Sequence, residues 1–474
     1  MKKLVTLLLA AGLVFSAANS ASAVEVKTSG TMDFAFDWTQ NIGTNFQDYD
    51  DAGINQKHQK HFGAVQRFRL GLEFVMSENL SATYQAQVGT FTWGGPATGN
   101  TLGGNNSEGN GGVLGSRSAN IVTRLAYLDW MVPNTSVKVR MGQQAVALPS
   151  FTFGSPVLDD TATGVVVAAP LTDNFGLTGM WLRGASGFRR GAVDNANRVD
   201  DNLDIFGLIG DVKGDGFQVQ PWVAYAAVGK GFKYERLPNG EVDPDTLLPG
   251  NATAWWAGIS GELTMFDPFR LTADFMYNNV DVDHSKAADS DGWYAALGAE
   301  YKTAYGTPAL KGWYASGDDK NARRTDKGGS VMEISGGFNA TSTFYDGAFG
   351  LGKHIGVTSP NGSWGISAQW NDISFVENLS HALSVTYVQG TNNKHNLIAP
   401  DDGYLTTKDS LVEIDFNTTY NIYQNLATVL ELGYIFENFD GKNAANNGFD
   451  GLTAGDKAKF SNAWRASLNF QYTF

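Results

Sequence analysis

Five basic residues, Arg67, Arg69, Arg124, Lys138 and Arg140, stand in stretches whose side chains alternate between apolar and polar. Arg67 and Arg69 lie in "QRFRLGLEFVM", Lys138 and Arg140 in "VKVRMG". Residues two apart on an extended chain share a face, and neighbouring strands lie about 4.8 Å apart. On consecutive strands these cations would therefore form one basic patch on a wall. Its chemistry would be electrostatic rather than covalent: fixed positive charge that attracts and orients passing solutes. The alternative is local pairing with Glu73, Asp33 or Asp37, which would select nothing. Further on, "ALPSFTFGSPVLDDTATG" is more apolar than the other long connections and carries Asp159 and Asp160.

Other reactive constellations are sparse. "HQKH" places His58 and His61 three apart, but a metal needs further ligands that this spacing does not supply; surface histidines are expected. No Gly-x-Ser-x-Gly, phosphate-loop or H-E-x-x-H pattern occurs. A hydrolase would need a serine–histidine pair, and His381, in "NLSHALSVTY", falls on the apolar face of its stretch with no identified orienting partner. There is no cysteine, hence no disulfide, thiolate metal site or cysteine nucleophile. The balance of 34 basic against 48 acidic residues, net −14, argues against nucleic acid as a partner. No cofactor is expected, except that acid pairs such as Asp50-Asp51, Asp318-Asp319 and Asp401-Asp402 would suit calcium, although no complete calcium-loop signature is present.

The elements that must position these side chains are strands. In "GTMDFAFDWTQ", Met32, Phe34, Phe36 and Trp38 oppose Asp33 and Asp37; at the C-terminus, Leu468, Phe470, Tyr472 and Phe474 oppose Ser467, Asn469, Gln471 and Thr473. The same period recurs through "PFRLTADFMYNN" and "LVEIDFN". A soluble sandwich also alternates, but its connections would be short at both ends. Here eight tight turns alternate with nine long polar loops, roughly 40–60, 94–118, 143–163, 187–201, 229–252, 279–290, 317–362, 390–409 and 438–460. That pattern predicts an all-β transmembrane antiparallel up-and-down barrel of 18 strands. If the hairpin in "TGVVVAAPLTDNFGLTGMWLRG" belongs to a loop, the count falls to 16. Closure is dictated by lipid, which offers no hydrogen bonds to a bare strand edge. Apolar faces should meet lipid and polar faces a wet lumen. Trp38, Trp464, Tyr277, Tyr301, Tyr387, Tyr434 and Tyr472 are expected in interfacial girdles. Residues 1–23, with Lys2, Lys3, an apolar run and Ala21-Ser22-Ala23, read as a cleaved signal peptide. Residues 24–474 would then form one barrel domain.

With the signal peptide, the aromatic-bounded strands and the terminal "NFQYTF", the chain resembles a Gram-negative outer-membrane porin, and more narrowly the homotrimeric porins of sulfate-reducing bacteria. The resemblance implies residence in the outer membrane among lipid and lipopolysaccharide, and passive diffusion of small hydrophilic solutes and ions without catalysis. It implies that the barrel-assembly machinery reads Phe474, and that the loop at 94–118 latches a homotrimer. It also implies that the loop bearing Asp159 and Asp160 folds into the lumen and faces the basic wall, although that loop lacks the usual Pro-Glu-Phe-Gly-Gly stretch. A substrate-specific channel of the maltoporin type would instead need a ladder of inward aromatics, for which Trp256, Tyr294, Trp313 and Phe91 are candidates. An outer-membrane hydrolase and a structural surface protein are the readings from other classes.

Overall fold

Eighteen strands form, each the outcome of a period-2 stretch between turn residues. In the computed structural model they are β1 (Glu25–Gln40), β2 (Lys60–Ser77), β3 (Leu80–Thr92), β4 (Ile121–Met131), β5 (Lys138–Ala147), β6 (Asp159–Pro170), β7 (Phe175–Ala185), β8 (Leu203–Gly214) and β9 (Phe217–Val228). The second half comprises β10 (Ala252–Leu263), β11 (Phe269–Val282), β12 (Ser290–Tyr301), β13 (Thr307–Ala315), β14 (Ser363–Val376), β15 (Leu379–Gly390), β16 (Ser410–Tyr423), β17 (Leu426–Asn438) and β18 (Ala463–Thr473). The structure describes residues 24–42, 46, 60–94, 120–185, 202–229, 251–320, 326–449, 452 and 455–474. The expected signal peptide, His58 and nearly all of the 94–118 loop lie outside them.

Each strand pairs antiparallel with its neighbours in sequence, and β1 pairs with β18, so the sheet closes on itself. The TDN stretch does join two wall strands, β6 and β7, which settles the count at 18 rather than 16. Asn134 and Asn378 supply the left-handed residues (φ 59° and 62°) that two of the tight turns require.

Side chains sort by face as lipid demands. Met32, Trp38, Phe275, Leu297, Ile366 and Leu432 are exposed on the outside, whereas Asp33, Asp37, Asp274, Glu413 and Glu431 are buried on the inside. Aromatics gather at both ends of the strands. Trp38–Phe62, Trp255–Tyr277, Trp293–Tyr314 and Trp364–Tyr387 pair near the long loops, and Phe269–Tyr301 and Tyr472–Phe474 near the short turns. These are two interfacial girdles.

The expectation of a uniformly polar interior fails on one side. Inward positions from β7 to β13 carry Met180, Leu182, Trp222, Trp256, Met276, Tyr294 and Trp313, all buried. They form one hydrophobic cluster with residues of two inserted segments, 148–158 and 326–357. The wall is apolar there because it meets protein rather than water. Trp313 occupies so much of this space that a Cβ on its neighbour Gly365 would stand 2.2 Å from the indole ring.

Candidate functional site

The lumen is shaped by those two segments. The connection after β5 turns inward, as expected of the "ALPSFTFGSPVLDD" stretch. Its Phe151 and Thr152 N–H groups each donate to Asp274 of β11 at 2.9 Å, and the Ser150 hydroxyl donates to the same carboxylate at 3.1 Å. The Ser260 hydroxyl of β10 donates to the Pro149 carbonyl at 2.9 Å.

The larger insertion is the connection between β13 and β14, which the sequence marks only as a long loop. It zips along the first segment: Ile334 N–H donates to the Val157 carbonyl, Gly337 N–H to that of Ser155 and Asn339 N–H to that of Phe153, each at 2.8 Å. Phe338 then sits among rings, with centroids 5.6 Å from Phe153, 5.3 Å from Trp313 and 4.8 Å from Tyr345. Three of the four candidate ladder aromatics are thereby used up, and Phe91, on β3, stands apart from them. Trp256, Tyr294 and Trp313 lie beneath these segments and offer no continuous track to a solute, which removes the basis for a maltoporin-type slide. Burial pushes the Tyr345 hydroxyl well above its usual pKa, keeping it neutral beside Ser363, 3.0 Å away.

Inward carboxylates fasten the insertion to the opposite wall. Glu413 accepts the N–H groups of Thr343 (2.7 Å) and Phe344 (3.0 Å); Asp415 accepts the Thr343 hydroxyl at 3.3 Å; Glu431 accepts the Phe349 N–H at 2.8 Å. Glu431 also meets Arg465 at 2.8 Å, and both are fully buried. Gly433 is required beside this seam, since a Cβ there would lie 1.8 Å from the Thr343 hydroxyl. Gln471, close to the short-turn end of β18, donates to the Phe349 carbonyl at 3.1 Å. The segment thus enters from the long-loop end and descends almost the full depth of the wall. His354 closes its tip, with one ring nitrogen 3.1 Å from the Asp346 carboxylate and the other 2.9 Å from the Gly352 carbonyl.

Across β2 to β5 the wall keeps its basic character, but not as five free cations. Arg67 pairs with Asp33 at 3.1 Å. Arg140 makes a two-pronged contact with Asp129 (2.7 and 2.8 Å), Lys138 meets the same acid at 2.9 Å, and the Arg140 guanidinium lies 4.1 Å above the Tyr127 ring. For these three the local-pairing alternative holds, with Asp129 a partner the sequence reading overlooked. Arg69 differs: it donates to the neutral Gln87 at 2.9 Å, and the charges of Arg67 and Arg124, as well as that of Asp33, bear on it without a direct ion pair among the described residues. Arg124 is exposed and has no acidic partner among the described residues. It is the extra residue of a bulge, Thr123 pairing with Ala86 and Leu125 with Gln85, and bulges re-aim side chains.

Asp160 accepts the Ser335 hydroxyl at 2.7 Å, and Asp159 stands beside Gly337, so both mark where the two insertions meet. No ion pair among the described residues joins either acid to the basic wall. Lys138 and Arg140 also border a cavity of about 320 Å³ whose other side is Val166, Ala168, Met180 and Ile209. His381 rests on Phe416 and, among the described residues, hydrogen-bonds only the Thr418 hydroxyl at 2.9 Å. No group of three or more metal-binding side chains occurs among the described residues.

No protein-family model matches the chain, and no curated protein does. Solved structures do. The chain is similar to Pseudomonas aeruginosa OccK2 (OpdF), solved with glucuronate, at 12% identity and TM-score 0.54, with 95% of this chain and 98% of that one covered. Pseudomonas aeruginosa OccK8 (OprE) follows at 13% identity and TM-score 0.51, covering 95% and 98%. Acinetobacter baumannii OccAB2 stands at 14% identity and TM-score 0.50, covering 94% and 98%. This is the fold of an outer-membrane porin. None of these three comes from a sulfate-reducing bacterium.

Proposed function

We propose that the chain is an outer-membrane channel through which small hydrophilic solutes diffuse, and that it favours those bearing negative charge. The observation carrying this reading is the pair Arg69 and Arg124, close enough for their charges to repel and in no ion pair among the described residues. The inserted segments pack dry on β7 to β13, so a solute must pass the basic side at close range. Low-dielectric walls strengthen a fixed charge and salt screens it over about 10 Å at 0.1 M. A sugar acid accompanies the OccK2 structure, which is in keeping with an anionic cargo here, and points to a substrate-preferring channel rather than an indifferent one.

The test is a planar bilayer under a salt gradient. The purified barrel should show a reversal potential on the anion side, and Arg69→Ala with Arg124→Ala should move it toward cations. A cation-selective wild type would overturn the reading. Assembly as a homotrimer and recognition of Phe474 by the assembly machinery rest on the family resemblance alone. Native electrophoresis and the count of current steps decide the first, three equal steps being expected.

A further inference from the structure

Three phenylalanines of the β13–β14 insertion meet different fates. Phe338 and Phe344 are fully buried in the dry cluster, whereas Phe349 is 61% exposed and stacks on no other ring among the described residues. Exposed apolar side chains on the outer face of the strands meet lipid, but Phe349, on a segment inside the barrel, cannot. Its N–H donates to Glu431 and its carbonyl accepts from Gln471, both on the inner face of the wall. Its ring is therefore held, at two backbone points, toward the aqueous passage.

The register places the anchor of that ring near Arg69. Gln471 is the Cα partner of Asp33, the acid that Arg67 contacts, and two residues along β1 Thr31 is the partner of Arg69. From β18 to β2 is two strand spacings, about 10 Å, the length of one small organic solute. Lys353, exposed at the same tip and in no ion pair among the described residues, adds a further positive charge.

We infer that Phe349 is a specificity-determining residue, an apolar sill that lets the channel discriminate among anions of equal charge by the apolar face they carry. An anion with a ring bonded to its charged group would set the charge toward Arg69 and the ring against Phe349; an anion of the same charge without a ring would meet the cations alone. This rests on the anion-favouring reading and adds a polarity filter to it. A ring on a loose backbone would contribute little, but Glu431 and Gln471 fix the backbone that carries it and so remove part of the ordering cost before the solute arrives.

The experiment compares current block by benzenesulfonate and methanesulfonate in the reconstituted channel, wild type against Phe349→Ser and Phe349→Leu. Both probes carry one full negative charge at all working pH values. Wild type should bind benzenesulfonate more tightly than methanesulfonate. Phe349→Ser should weaken the first by roughly two- to tenfold and leave the second unchanged, with Phe349→Leu in between. Equal block of wild type by the two probes, or equal loss of both in Phe349→Ser, would overturn the inference. The reversal potential, read on the same channels, reports separately on the anion preference itself.

Discussion

Glu413 of β16 binds the backbone N–H of Phe344 at 3.0 Å, and with its other carboxylate oxygen that of the preceding Thr343. A buried carboxylate is costly unless several donors surround it, and a backbone N–H in a dry place is costly without an acceptor. Each solves the other's problem. Asp274 does the same for Phe151 and Thr152, so the insertions are held by wall acids rather than by added strands.

Removing Glu413 should therefore loosen the insertion without opening the barrel. Glu413→Ala leaves two buried N–H groups unpaired, at about 1–3 kcal/mol each. The expected result is a larger, noisier single-channel conductance, while the strands keep their β-type circular dichroism. Glu413→Gln retains one acceptor oxygen and should fall between. An unchanged conductance in Glu413→Ala would mean that ring packing around Phe338 holds the segment alone.

Asp129 neutralises part of the basic wall, since both Arg140 and Lys138 bind it. Asp129→Asn should release that charge and move the reversal potential further toward anions. The shift should shrink from 0.1 M to 1 M salt, as the screening length falls from about 10 Å to about 3 Å. A shift toward cations would show that Arg140 and Lys138 need Asp129 to stay on the lumen side.

The strand count, the closure and the outward face were legible because lipid imposes one rule on every strand, and period 2 records it. The eight turns are likewise local chemistry. The lumen was only half legible. Arg69 and Arg124 followed from alternation, although Arg124 reaches its place through a bulge that alternation does not foresee. Asp129 was overlooked because it sits on the next strand, where only register reveals the pairing. The 317–362 stretch looked like any outer loop: its Phe338, Phe344 and Tyr345 have no period, and what they bury against lies far away in sequence. A usable signal was present in "LVEIDFN", where two acids point inward with no basic residue opposite; such acids need donors, and here an inserted backbone provides them.

Asp409, just before β16, gives the outer loops a pH dependence. It is buried, accepts the N–H groups of Thr406 (3.0 Å) and Asp440 (2.9 Å), and binds the Thr406 hydroxyl. Burial raises its pKa above the usual carboxylate value, and the nearby Asp440 charge adds to this. The folded loop thus favours the protonated form. Its contribution to stability is full below about pH 4, the unfolded value, and is lost as pH rises through the raised folded value. Amide exchange over residues 391–409, corrected for intrinsic rates, should be slower at about pH 4 than at about pH 8. Asp409→Asn should flatten that difference; a persistent one would show that Asp409 is not its source.

Phe474 invites a separation of two roles. Its N–H donates to the Gly30 carbonyl at 3.1 Å and its carbonyl accepts the Gly30 N–H at 2.9 Å, completing the β1–β18 seam. Its ring stacks with Phe68, centroids 6.3 Å apart, and fills the space above Gly30, where a Cβ would come within 2.3 Å of it. Phe474→Ala keeps both backbone bonds, so closure should survive and refolding into detergent should reach a yield near that of wild type. Gly30→Val, in contrast, forces the ring away and strains the seam, and should lower the refolded yield. If Phe474 is also read by the assembly machinery, Phe474→Ala should reduce the amount of barrel in the outer membrane of living cells far more than it reduces refolding in detergent. Equal losses in both settings would make the residue a closure element and nothing more.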